Sequence, residues 1–152
     1  MQTMAVVMEA PGRLAFTKLD LADASAEDVV VDVEWSGIST GTERLLWSGR
    51  MPSFPGMGYP LVPGYESVGR VRHAGDRSGR RSGERVFVPG ARCFGDVRGL
   101  FGGAAATVVV PGFRAVPVDD GLAEHGVLLA LAATAHHAIV KGGHLVPDLI
   151  VG

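Results

Sequence analysis

A loop rich in proline and glycine carries the side chains best suited to bind a large ligand. Residues 48–64 contain four prolines and four glycines, which excludes regular secondary structure. Flat aromatic rings and soft thioethers suit the face of a conjugated ring, and Arg50 could pair with a carboxylate. The alternative is a small hydrophobic core beneath the loop. The candidate binding side chains are Trp47, Met51, Phe54, Met57 and Tyr59.

Two neighbouring histidines, His136 and His137, are candidate bases near neutral pH. Successive residues of an α-helix point about 100° apart, so the two side chains cannot chelate one ion as a pair. Either imidazole could reach a cleft as a base, and the alternative is a hydrogen-bonded histidine without a catalytic role. The single cysteine, Cys93, excludes an internal disulfide and a multi-cysteine zinc site, and it fits a reducing cytoplasm.

The composition indicates one globular domain without a general affinity for nucleic acid or membranes. The 152 residues are 47% hydrophobic and carry a formal net charge of −2. No apolar run is long enough to span a bilayer, and the N-terminus lacks a signal-peptide pattern. Six arginines lie between residues 70 and 85 without interleaved aromatic side chains, so we interpret them as a solvated hairpin.

The elements that must position these residues are mostly short strands, because 22 glycines and 9 prolines favour tight turns. Residues 28–35 form the clearest strand, and their alternation predicts a sheet buried on one face. Its apolar face would consist of Val29, Val31, Val33 and Trp35. The other predicted strands are residues 4–8, 13–19, 66–74, 85–88, 104–110 and 114–118.

Two helices accompany the strands. Residues 42–47 could form a short helix, with Gly49 past its end. Residues 122–141 are rich in alanine and leucine, and Asp119 and Asp120 are suitable N-caps. A glycine pair follows this stretch, which predicts one long helix that ends there. The predicted fold class is therefore mainly β with a C-terminal helix.

Three segments, in order and at natural spacings, resemble the medium-chain dehydrogenase/reductase superfamily. Residues 36–43 read SGISTGTE, residues 60–71 read PLVPGYESVGRV with GERV at 83–86, and residues 133–138 read ATAHHA. In that superfamily a GroES-like β-barrel forms the catalytic half and a Rossmann domain follows it. The resemblance covers nearly the whole chain and implies a GroES-like barrel here.

The same resemblance predicts where the domains divide. A GroES-like catalytic and substrate-binding domain would occupy residues 1–141, and residues 142–152 would be a stub of the Rossmann domain. Residues 145–151 would form its first buried strand, and Gly152 would open the nucleotide turn G-x-G-x-x-G. NAD would then be held mainly by a domain absent from the chain, so we expect no turnover from the chain alone. The uncovered face should be apolar, which would permit a homo-oligomer.

The chain departs from the superfamily's zinc-dependent members at every ligand position. The first cysteine position falls on Ser39 or Thr40, the histidine position on Tyr65, and the second cysteine position on Ala130. A hydroxyl, a phenol and a methyl group cannot replace thiolates and an imidazole around zinc. The resemblance therefore implies a zinc-free member with no metal site.

Without zinc, a side chain or a relay must accept the proton of an alcohol. Thr42 falls where the family has a proton-relaying hydroxyl, and the alternative is that it caps the short helix. Glu43 matches an acidic residue behind the metal, for which we favour a structural role. Glu66 follows the lost histidine and could be a base of raised pKa or the partner of an arginine.

The remaining implied site residues surround the same cleft. Tyr65 should point into it, either to hydrogen-bond the substrate oxygen or to fill the space left by zinc. Ser39 and Thr40 should border the substrate. Thr134 matches a position near the nicotinamide, although packing alone could explain it, and His137 is the histidine that we assign to catalysis.

Within the zinc-free group, residues 36–44 and 47–69 are similar to members that act on a chlorophyllide-type macrocycle. The resemblance implies oxidation of a hydroxyethyl side group to acetyl, with NAD as the hydride acceptor. One alternative is a zinc-free enyl reductase similar to quinone oxidoreductases. The other is a standalone GroES-like module for assembly or pigment carriage.

Overall fold

Nine short strands and two α-helices make up the computed structural model, which describes residues 1–143 and 148–149. The helices are α1 (Thr42–Trp47) and α2 (Leu129–Lys141). The strands are β1 (Gln2–Ala10), β2 (Arg13–Asp20), β3 (Asp28–Ser36), β4 (Leu61–Val62), β5 (Ser67–Ala74), β6 (Arg85–Val88), β7 (Arg98–Gly99), β8 (Thr107–Pro111) and β9 (Val116–Pro117).

The strands form two sheets, in the orders β2-β1-β4-β7 and β8-β3-β5-β6-β9. The backbone just before β8 connects them. The N–H of Val6 donates to the carbonyl oxygen of Ala104, and the N–H of Val33 donates to that of Ala106, both at 2.9 Å. Because one stretch of chain bonds to both β1 and β3, the sheets close into a barrel. The predicted fold class, mainly β with a C-terminal helix, is confirmed.

The core between the sheets is built mostly of valine. β-Branched side chains pack well on a pleated surface, and each of these valines removes its apolar area from water. The most buried members, all at most 2% exposed, are Val29, Val31, Val62, Val71, Val86, Val88, Val108 and Val110. This core gives the loops and α1 a rigid base.

The alternation predicted for residues 28–35 is wrong at both ends of the run. The pairing of β3 with β5 shifts register between Val30 and Val31 and again between Val33 and Trp35. Val30 is buried as a result, whereas Trp35 is 37% exposed. The guanidinium of Arg85 covers the Trp35 ring at 5.2 Å from its centroid.

The C-terminal helix begins later than predicted. Residues Asp120–Leu128 form 3-10 turns interrupted at Ala123, where φ is 42°, and α2 begins only at Leu129. Two glycines lower the helix propensity of this stretch, and one of them, Gly126, packs on Val68. Asp119 does act as a cap, since its carboxylate accepts from the Gly121 N–H at 2.7 Å. It caps the 3-10 turns and not α2.

Two predicted strand starts are also wrong, and two short strands are missing from the sequence prediction. The loop 48–64 contains β4, which pairs in parallel with β7, a strand absent from the sequence prediction. The strand predicted at 104–110 begins only with β8 at Thr107. The strand predicted at 114–118 begins only with β9 at Val116, because Arg114 ends a 3-10 turn, Gly112–Arg114. Strands of two residues leave no periodicity to detect.

Two predictions fall outside the described residues. Most of the strand expected at 145–151 lies there, and so does Gly152 with its predicted cofactor role. Among the described residues, no helix is long and apolar enough to cross a membrane.

Candidate active site

A cavity of about 640 Å³ lies between the barrel and the first turn of α2. We call it the Thr42 cavity. Its polar side chains are Thr42 and Tyr65, and the rest of its lining is apolar. The apolar lining comes from β6, from β9, from α2 and from the segment that follows β7. It includes Phe87, Phe101, Val116, Leu129, Ala130 and Ala133. The two hydroxyl groups therefore stand in a largely apolar surrounding.

The two hydroxyls of the Thr42 cavity are close enough for a weak hydrogen bond. The Thr42 Oγ1 lies 3.5 Å from the Tyr65 hydroxyl oxygen, and either atom can donate. The Tyr65 ring is fixed edge-on against Phe101, with ring centroids 5.5 Å apart at 87°. The structure therefore brings together a predicted relay residue and a predicted substrate contact.

The alternative role of Thr42 as a helix cap is wrong. Gly41 is the N-cap of α1, and no side chain caps it from that position. Ser39 instead accepts a hydrogen bond from the Thr42 N–H through its Oγ, at 3.3 Å. Thr42 is the first residue of the helix, so its hydroxyl is available to the cavity.

Glu43 and Glu66 are buried behind this site without an arginine partner. Glu43 is 7% exposed and Glu66 5% exposed. Both carboxylate oxygens of Glu43 and the Oε1 of Glu66 have no hydrogen-bond partner among the described residues. Burial raises the pKa of the Glu43 carboxyl, and the charge of Glu66 raises it further. Neither side chain lines the Thr42 cavity.

The α2 helix contributes methyl groups to the Thr42 cavity, while its polar side chains face elsewhere. Ala130 and Ala133 line the cavity. The Thr134 hydroxyl donates to the Ala130 carbonyl oxygen of its own helix at 3.0 Å. His137 is exposed and is not among the lining residues, and the same holds for His136. The roles predicted for Thr134 and His137 stay predictions.

The loop 48–64 divides into a packed part and an exposed part. Met51, Met57 and Tyr59 pack against a small hydrophobic cluster formed by Met8, Leu46, Leu61 and Leu100. The Tyr59 hydroxyl donates to the Leu46 carbonyl oxygen. For these three side chains the alternative of a small core beneath the loop describes the packing. Trp47 and Phe54 are 40% and 37% exposed.

The arginine expected to pair with a carboxylate has a different neighbour. The Nε of Arg50 donates to the Ser48 Oγ at 3.4 Å, at an exposed position. Thr40 is likewise exposed in the turn before α1. Substrate contacts of Arg50 and Thr40 stay predictions.

A second depression of about 420 Å³, which we call the arginine pocket, adjoins the Thr42 cavity. It is lined by Phe54, Arg92, Arg98 and Phe101 among others, and Phe101 also lines the Thr42 cavity. Sequence analysis missed Arg92 and Arg98. The available signal was two arginines six residues apart in a glycine-rich stretch next to a candidate binding loop.

Two positions that the superfamily resemblance matches to zinc ligands border the Thr42 cavity. They are Tyr65 and Ala130, which both line it. In the part of the chain that the structure describes, no group of three or more histidine, cysteine, aspartate or glutamate side chains could hold a metal ion. Cys93 is buried, and burial raises the pKa of its thiol.

Comparisons with known proteins agree on one family. Residues 25–120 match the model of the alcohol dehydrogenase GroES-like domain. The chain is 52% identical over 157 residues to the 2-desacetyl-2-hydroxyethyl bacteriochlorophyllide A dehydrogenase of Cereibacter sphaeroides, covering all of this chain and 49% of that protein. The protein of the same name from Rhodobacter capsulatus is also 52% identical, over 153 residues, with the same coverage. The chain thus spans about half the length of these relatives.

Solved structures show the same fold. A probable oxidoreductase from Mycobacterium abscessus is 28% identical with a TM-score of 0.74, over 95% of this chain and 45% of that one. The 2R,3R-butanediol dehydrogenase from Bacillus subtilis is 20% identical with a TM-score of 0.74, over all of this chain and 49% of that one.

Proposed function

The chain belongs to the alcohol dehydrogenase GroES-like family of the medium-chain dehydrogenase/reductase superfamily, and from that premise we propose its function. It is the substrate-binding part of a dehydrogenase that oxidises the hydroxyethyl group of a bacteriochlorophyllide to acetyl, with NAD as acceptor. The two relatives at 52% identity carry a name that describes this substrate. The observation that carries the proposal is the Thr42 cavity, an apolar site with a pair of hydroxyls.

The proposed reaction needs two separate transfers from the alcohol. The C–H bond of the hydroxyethyl carbon breaks as a hydride leaves, and the O–H bond breaks as a proton leaves, so that a C=O bond forms. Bound NAD supplies the hydride acceptor. The residues of this chain must hold the alcohol oxygen and conduct its proton away.

Tyr65 and Thr42 suit the proton path because each hydroxyl can donate and accept. We assign the contact with the alcohol oxygen to Tyr65 and the next position to Thr42, 3.5 Å away. The final acceptor is Glu66 or His137. Glu66 is adjacent in sequence to Tyr65 and buried, whereas His137 is exposed on α2.

The residues of the Thr42 cavity fit the nicotinamide end of a cofactor. Leu129, Ala130 and Ala133 present apolar side chains against which an aromatic ring can lie, with Thr134 next along α2. That the cofactor is NAD and not NADP is part of this proposal.

Zinc independence is a further part of the proposal. The Tyr65 phenol and the Ala130 methyl stand where zinc-dependent relatives have an imidazole and a thiolate, and neither replaces those ligands. The alcohol proton is then acidified by hydrogen bonding and not by a metal.

Steady-state kinetics of an active enzyme that contains this domain test this assignment. With a hydroxyethyl chlorin as substrate, we expect acetyl product and one NADH per turnover. Thr42→Val and Tyr65→Phe should each lower kcat by roughly 10²-fold, because general acid–base groups contribute about that much. Thr42→Ser, which keeps the hydroxyl, is the matched control and should retain most activity. Equal rates in all four proteins would contradict the relay.

A further inference from the structure

The arginine pocket places two cationic side chains beside the Thr42 cavity. Phe101 lines both depressions. Arg92 and Arg98 line the arginine pocket, together with the exposed Phe54. A ligand that extends from the apolar Thr42 cavity along Phe101 into the arginine pocket would therefore meet positive charge.

Six of the twelve arginines of this chain form ion pairs, and Arg92 and Arg98 belong to the other half, which has no carboxylate partner in the described structure. Within the described residues, ion pairs engage Arg13, Arg70, Arg72, Arg77, Arg80 and Arg85. Arg98 makes one hydrogen bond, from Nη1 to the Tyr59 carbonyl oxygen at 3.1 Å, which leaves its Nε and Nη2 donors free. Arg92 is exposed, and its guanidinium makes no hydrogen bond to the described residues.

The two backbone segments that carry Arg92 and Arg98 pack closely against each other. The Ala91 N–H donates to the Phe101 carbonyl oxygen at 2.8 Å. A Cβ at Gly99 or at Gly102 would collide with the Ala91 carbonyl oxygen, so glycine is required for this approach. Arg92 directly follows Ala91, and Arg98 precedes Gly99 within β7. The backbone at both arginines is therefore held in place near Phe101, which suits a specific ligand contact.

We propose that Arg92 and Arg98 bind the carboxylate of the substrate while its ring system lies against Phe101. This inference rests on the proposed function, since a chlorophyllide carries a single free propionate. The Thr42 cavity must also admit the nicotinamide, so a macrocycle has to extend beyond it. Guanidinium groups match a carboxylate with paired, charge-assisted hydrogen bonds.

Binding of two probes to this chain tests the proposal. The probes are pheophorbide a, a chlorin with one free propionate, and its methyl ester, which has the same ring without the charge. Fluorescence titration at low ionic strength should show tighter binding of the acid by about tenfold, the scale of a charged hydrogen bond. Higher salt should reduce this preference.

Variants identify the side chains responsible for the tighter binding of the acid than of the ester. Arg92→Gln and Arg98→Gln should each remove most of it and leave ester affinity unchanged, which also shows that the fold and ring site are intact. Arg81→Gln removes the same charge from an exposed position outside the described cavities and should keep the preference. Arg50→Gln tests the competing arginine of the binding loop.

The outcomes separate the two proposals. Equal binding of acid and ester by the unchanged chain overturns the carboxylate site and leaves the macrocycle proposal standing. Loss of the preference in Arg50→Gln, with Arg92→Gln and Arg98→Gln unaffected, also overturns it. Binding of neither probe contradicts the macrocycle proposal and the carboxylate site with it.

Discussion

At the scale of single residues, the burial of the Glu43 carboxylate is the feature that a contribution to stability explains least. Its carboxylate is buried without a hydrogen-bond partner among the described residues, and burial raises its pKa above the ordinary 4.5. The folded protein therefore holds this proton more tightly than the unfolded chain does. Its contribution to stability is greatest at acid pH and falls as pH rises from the unfolded pKa through the folded one.

Glu43→Gln should accordingly stabilise the protein at neutral pH, by about 1 kcal/mol, because glutamine resembles the neutral acid and carries no buried charge. The gain should vanish as the pH falls below the unfolded pKa. Denaturant unfolding between pH 4 and pH 8 measures it, with Glu124→Gln as an exposed control. An unfolding free energy that follows the unchanged protein at every pH would show that Glu43 is already compensated.

Site residues could be predicted from the sequence only where a motif fixed their place. Thr42 and Tyr65 come together as expected because they occupy motif positions whose backbone the fold determines. Arg92 and Arg98 were not predicted as site residues, because the pocket around them forms through contacts between residues 90–92 and 98–102. Such contacts follow from packing of the segment and leave little trace in local sequence.

At the scale of elements, α1 links the loop to the barrel. Leu46 of this helix is 1% exposed and packs with Leu61 and Leu100 beneath the loop 48–64. Its neighbour Leu45 is 37% exposed. The two leucines therefore lie on the same helix and differ in burial, which makes Leu45 a suitable control for Leu46.

Leu46→Ala should lower the free energy of unfolding by about 2–5 kcal/mol, since it opens a cavity in a packed cluster. Leu45→Ala is the matched control and should cost less than about 1 kcal/mol. Chemical denaturation measures both. A similar cost for the two would mean that the cluster does not anchor α1.

The elements also show where sequence patterns succeed and fail. Long strands such as β1 and β3 were located from the sequence, although the alternation in β3 fails where its register shifts, and the short helix α1 was predicted with its correct bounds. β4 and β7 are two residues each and exist only because they pair with each other. The start of α2 was misplaced because the alanine-rich composition masked the effect of two glycines upstream.

At the scale of the whole molecule, the α2 surface is unusual. Leu131, Ile139 and Val140 are 54%, 40% and 38% exposed. Such a surface commonly contacts another domain or another copy. Self-association of this chain remains a proposal on that ground.

Metal independence is a prediction about the whole enzyme. Dialysis against a strong chelator should leave the rate of alcohol oxidation unchanged, and added zinc should not raise it, because Tyr65 and Ala130 cannot replace zinc ligands. Metal analysis of the active protein provides the control. A rate that falls on chelation and returns with zinc would contradict the zinc-free assignment.

The central claim is that the GroES-like domain of this chain recognises the macrocycle. Absorption titration of the 152-residue chain with a hydroxyethyl chlorin, with NAD present, tests it most directly. The account predicts saturable one-to-one binding that Phe101→Ala weakens. Absence of saturable binding, or equal binding by Phe101→Ala, would contradict it.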